Sequence, residues 1–162
     1  MATSIIQLVG DNKEYVFKSV KIADAGTENG SAVALGSIVT GNKDVYTAVK
    51  PATANLGLAS GLVAKEFIKY VGNEVIDALV CNVDEIVKAV FPQIGQEVVL
   101  TNDASTGTLA VGSFASPVDG VYKLAVTATV PVLGVTYRIV AIDEPIRIGQ
   151  RTSLGFRVIR ER

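Results

Sequence analysis

Between Val121 and Val130 the chain alternates with a period of two. Tyr122, Leu124, Val126, Ala128 and Val130 interleave with Lys123, Ala125, Thr127 and Thr129, the pattern of a half-buried strand. Pro131 and Gly134 break it, and Tyr137–Ile142 reads as the next strand. Leu154, Phe156 and Val158 then alternate with Gly155, Arg157 and Ile159, which predicts a closing strand. Earlier strands are predicted at Tyr15–Ile22, Ser31–Val39, Val45–Lys50, Leu56–Val63, Val75–Cys81 and Glu97–Thr101. Between them lie turn residues such as Glu28-Asn29-Gly30, Gly41-Asn42-Lys43, Gly72-Asn73 and Asp119-Gly120, which supply the positive φ angles of tight hairpins.

Two segments carry helical spacing instead. Val63, Phe67, Tyr70 and Val71 stand at i, i+4, i+7 and i+8, with Gly72 as a C-terminal cap. Val83, Ile86, Val87 and Val90 repeat the pattern, with Asn82 as N-cap, Glu85 completing a capping box and Pro92 as the stop. The expected fold is all-β: a small barrel or sandwich of short antiparallel strands with one or two short helices. Residues 1–26 are the candidate appendage, either a first strand of the same domain or an arm that pairs with a neighbouring chain. Residues 27–162 form one β-rich domain.

Composition narrows the functional classes. A chain of 162 residues buries about two-thirds of its surface on folding, so a core is available without staples. One cysteine gives no internal disulfide framework. Without histidine, and with Cys81 alone, a structural zinc site and every imidazole-based triad are excluded. No carboxylate loop of the EF-hand kind is present, and no cofactor is implied. The net charge of −1 gives no drive towards nucleic acid or an anionic membrane. No apolar run reaches the length of a membrane span, and the first residues lack a signal peptide's basic and apolar segments. A soluble, non-enzymatic protein made in a cytoplasm is expected.

Individual motifs favour bland readings. Gly36–Lys43 nearly spells a phosphate-binding loop, but Asn42 separates Gly41 from Lys43 and Asp44 replaces the Ser or Thr. A strand and its turn explain it better. Asn29-Gly30-Ser31 matches a glycosylation acceptor and reads more simply as a tight turn. Cys81, in an apolar strand, reads as a buried inert thiol. Asp84-Glu85 sits where the first turn of a helix favours negative charge.

The distribution of charge says more. All six arginines lie in the last 25 residues, whose acids are Asp143, Glu144 and Glu161, giving +3. The preceding 137 residues hold nine lysines and thirteen acids, giving −4. Arginine suits hydrogen-bonded ion pairs at interfaces, so Arg147, Arg151, Arg157 and Arg160 are candidate docking residues. Ile5, Ile6 and Leu8 are candidate apolar contacts of an N-terminal arm. The charged fraction of 19% is below the usual quarter, which suits a surface covered by neighbours.

The order of features resembles the head decoration, or capsid auxiliary, proteins of tailed bacteriophages. The resemblance rests on the turn Glu28-Asn29-Gly30, the strand Val33-Ala34-Leu35-Gly36 and the phrase Val45 to Pro51. It continues through Phe67, Tyr70 and Gly72-Asn73-Glu74, then Ile94–Thr101, Ala110–Phe114 and Gly155–Ile159. It covers most of residues 25–160, with Val83–Phe91 and the arginine-rich ending outside it. The resemblance implies a structural virion protein on the outer capsid surface, bound to the major capsid protein and to itself as a trimer, cementing the shell. A tail-tube, connector or head-fibre component is the nearest alternative, and a long insertable β-hairpin would favour the tube. A surface ligand-binding β-domain is the alternative from another class.

Overall fold

The wall between two hydrophobic cores organises the molecule. The structure is a computed structural model that describes residues 6–9, 15–54, 60–65, 80–148 and 151–162. Its strands are β1 (Ile6–Leu8), β2 (Val16–Ile22), β3 (Ala32–Ile38), β4 (Val45–Val49), β5 (Ser60–Val63) and β6 (Ile86–Phe91). They continue with β7 (Glu97–Thr101), β8 (Ser105–Thr106), β9 (Phe114–Ser116), β10 (Leu124–Thr127), β11 (Tyr137–Ile148) and β12 (Arg151–Arg160). The protein is all-β; among the described residues the helical content is one 3-10 turn, Asn102–Ala104.

Strands β2-β4-β3-β5-β6 close into a barrel, with β2 parallel to β4 and the other pairs antiparallel. The rest form a seven-stranded sheet, ordered β1-β7-β12-β11-β9-β10-β8. In β3, β5 and β6 successive residues enter different cores. Val33, Val63, Val87, Ala89 and Phe91 fill the barrel, while Ala32, Leu62 and Val90 face the sheet. There they meet Val98, Leu100, Leu124, Tyr137, Ile139, Phe156 and Val158. Phe91 needs Gly61 opposite it: a Cβ there would lie 2.7 Å from the ring.

This double burial corrects the helix predicted at Val83–Val90. A strand apolar on both faces presents a continuous run that spacing cannot separate from a helix. Val83 and Ile86 are exposed, Val87 enters the barrel and Val90 the central core. The capping-box bond does form, from the Asn82 N–H to Glu85 Oε2 at 2.9 Å, but it closes a turn that leads into β6. Of the other predicted helix, Val63 ends β5 and residues 66–71 lie outside the described residues. So do 56–59 and 75–79 of two predicted strands; Val80 bridges Glu28, and Cys81 is buried in the barrel core. Within residues 1–26, β1 pairs with β7 and β2 is a barrel stave.

The β11–β12 hairpin is longer than the sequence pattern shows. Two bulges, between Ile139 and Ala141 and between Ala141 and Glu144, let a strand of 12 residues match one of 10. Asp143 takes a φ of 59° at the second bulge, a conformation Asp tolerates better than most side chains. Gly155 leaves a gap on the face away from the barrel. Ile146 fills it and packs with Val99 and Val9.

Candidate interaction surface

Register gathers three segments at one end of the sheet. Ile159 pairs with Glu97, where β7 begins, and Arg160 with Tyr137, where β11 begins. The turn 92–96, the segment 130–136 and the residues after β12 therefore share that end. Backbone bonds tie them: Gly95 N–H to Arg160 O at 2.8 Å, Arg160 N–H to Gln96 O at 3.0 Å and Thr136 N–H to Arg162 O at 2.8 Å.

Two arginine side chains reinforce this end. Arg160 Nη1–H donates to the Pro92 carbonyl. Arg162 Nη2–H donates to the Pro131 carbonyl, and its Nε–H to Gly134 O at 3.4 Å. Charge-assisted bonds to carbonyls hold loop backbone more firmly than neutral ones. The loops so held present apolar side chains to solvent: Ile94 is 71% exposed, Val132 88% and Leu133 62%. Solitary exposed apolar residues are ordinary; these three share one end of the sheet and stand on loops held by arginine.

Arg157 has a different task. On the face away from the barrel it reaches Glu144 on β11 at 3.2 Å and Glu97 on β7 at 3.6 Å, so one guanidinium ties three strands. Arg138 pairs with Glu161 at 2.8 Å. Of the predicted docking residues, Arg157 and Arg160 thus make intrachain bonds; the strand positions of Arg147 and Arg151 lie in the distal hairpin, and their side chains lie outside the described residues. Ile6 and Leu8 are half-buried against the central core, and Ile5 lies outside the described residues. Sequence reasoning missed Ile94, Val132 and Leu133. Their signal was apolar residues beside Pro131, Gly134 and Gly95, in turns where no period calls for them.

Several other polar groups that the sequence singled out make intrachain contacts. Asn29 is buried and its side-chain N–H donates to Lys65 O at 3.3 Å, which bars glycosylation of the folded chain. Gly36–Lys43 is the end of β3 and its turn into β4. Burial pushes the Cys81 thiol up to about 11, against the opposing pull of Lys65, so it is protonated and a poor nucleophile. Asp84 pairs with Lys21 and Glu85 with Lys65, each at 2.8 Å. Burial opposes ionisation of Glu85, but hydrogen bonds from Lys65 and the Asn82 amide outweigh it and hold the carboxyl below its usual value. That ion pair lines a cleft of about 310 Å³, with Ser19, Ile86, Val87 and Lys88. Among the described residues no group of three or more His, Cys, Asp or Glu side chains is placed to hold a metal.

The class defined by these features is an all-β protein whose closed barrel backs an open sheet, with Ile94, Val132 and Leu133 exposed on braced loops at one end. No family model, curated protein or solved structure matches the chain.

Proposed function

We propose that this chain is a structural protein of a virus particle, a decoration protein that binds the outer surface of a tailed-bacteriophage capsid and cements it. The observation that carries the reading is the braced apolar end. Ile94, Val132 and Leu133 stand on loops fixed by Arg160 and Arg162, so docking them orders little chain. The layout shared with decoration proteins and the low charge of the chain support the same role. The partners are the major capsid protein and further copies of the chain, a trimer in this reading. Several weak contacts made together hold neighbouring capsomers by effective concentration. Binding the assembled shell and not its separated subunits stabilises the shell by mass action.

Purified shells test this. The wild-type chain is expected on the outer surface in particle reconstructions. Val132→Asp/Leu133→Asp, which alters exposed positions alone, is expected to fold normally and bind shells at least about tenfold more weakly. Each buried side chain contributes about 1.5–3 kcal/mol and a tenfold change is about 1.4. Density in the tail, or unchanged binding by the variant, defeats the proposal. One feature favours a second reading, a tube or connector subunit: the β11–β12 hairpin runs past its neighbours in the sheet. Density in the tail would support that reading.

A further inference from the structure

We infer that the distal edge of β12, Arg151–Leu154, is a strand-addition site for a second copy of this chain, received on the open edge of the neighbour's β1. β12 pairs with β7 only as far as Gly155, opposite Thr101. From Leu154 to Arg151 it pairs with β11 on one side and, among the described residues, with no strand on the other. Thr152 and Leu154 are exposed there. Such an edge offers N–H and C=O groups to any strand that can reach it.

The two edges of the hairpin are not equivalent. β11 bends at two bulges in its ladder with β12 and at a left-handed Asp143, and its outer edge carries Pro145, which has no N–H. Bulges and prolines are the devices that keep an edge from pairing. The β12 segment has neither. One edge is guarded and the other is open, which selects β12.

The occupant follows from topology and charge. A closed barrel has no edge to offer, and the sheet ends in β1 and the two-residue β8. Within one chain β1 and β12 flank β7 on opposite sides, so the distal edge of β12 can meet a β1 edge only on another copy. The stretch from Pro145 to Arg160 contains no acid, whereas the first 137 residues carry −4. A head-to-tail contact therefore sets a basic hairpin against an acidic body, while arm against arm would oppose arginines. Head-to-tail contacts close into rings or continue as filaments. The inference concerns the isolated chain and stands without the capsid reading.

Light scattering and two variants test it. The wild-type chain is expected at a multiple of 17.0 kDa. Leu154→Pro removes an amide from the open side of β12, the side to which Arg160 N–H points, and Leu8→Pro removes one from the outer side of β1, where Leu8 stands opposite Val98. Each alone is expected at the mass of one chain. Their equimolar mixture is expected at twice that mass, since one competent arm and one competent edge remain. A wild-type chain that stays at single-chain mass even at about 100 μM overturns the inference, as does a mixture that stays monomeric with both variants folded by circular dichroism. If a proline variant unfolds, hydrogen exchange of the wild type decides. Protection of the Thr152 amide that rises with concentration supports strand addition, and protection independent of concentration refutes it.

Discussion

The barrel and the sheet each enclose a buried apolar core but differ in how they finish their hydrogen bonds. Each of the five barrel strands pairs on both sides, and three of them face a core on each surface. The sheet ends in a three-residue strand on one side and a two-residue strand on the other, and its longest hairpin outruns both neighbours. Closure removes edges and with them the means of strand addition. The barrel accordingly serves as the rigid back against which the sheet is held. The unfinished edges and the braced apolar loops belong to the sheet, the region suited to contact with other molecules.

The largest effect is expected where the two regions share a wall. Leu62 is 1% exposed on β5 and faces the sheet core beside Val90. Leu62→Ala should cost about 3 kcal/mol, transfer loss and cavity together. Because the residue belongs to a barrel strand and to the sheet core, barrel and sheet should still unfold in one transition. Urea denaturation followed at separate sheet and barrel probes checks this. Two separated transitions would mean that the wall does not couple the regions.

A probe confined to the barrel is Cys81. It is 2% exposed, and burial raises its thiol from an ordinary value of 9.0 to about 11. The sign follows from which state ionises first. Above pH 9 the unfolded thiol loses its proton while the folded one keeps it. The contribution to stability is therefore full below pH 9 and lost as pH rises towards 11. Linkage across that window amounts to about 2 kcal/mol. Relative to Cys81→Ala, the wild-type chain should lose about that much more stability between pH 9 and 11 in denaturant titrations. Parallel pH profiles would show that the thiol is less sequestered than the barrel implies.

What the sequence revealed divides along the same line. β2 and β12 were legible from alternating stretches, while β4 and β7, the latter buried on both faces, were legible from the turns that bound them. β6 was not, since Ala89, Val90 and Phe91 alternate between two cores and Lys88 alone is a polar mark of the period. β11 was cut short at Ile142 because its bulges, one of them at Asp143, reset the alternation. The arginines were visible as a cluster, but the acceptors of Arg160 and Arg162 are carbonyls of Pro92, Pro131 and Gly134. A backbone acceptor leaves no mark on residue type. The loops that those bonds brace could therefore be read only in three dimensions.

The smallest effect should be local to the hairpin, and it sharpens the contrast with the shared wall. At Gly155 a Cβ would meet the Leu100 carbonyl and come within 2.6 Å of Ile146 Cδ1. Ile146 can rotate away, though it would then uncover Val99; the Leu100 carbonyl belongs to β7 and can yield only by shifting the strand. Gly155→Ala should destabilise by about 2 kcal/mol, in the range for added volume at a packed site. Loss of the Ile146–Val99 contact should let the distal hairpin open without the barrel. Amides from Ala141 to Ile148 should therefore exchange faster while those of β3 and β5 change only by the global loss. Equal acceleration in the hairpin and the barrel would mean that the hairpin is as firmly built into the fold as the closed ring behind it.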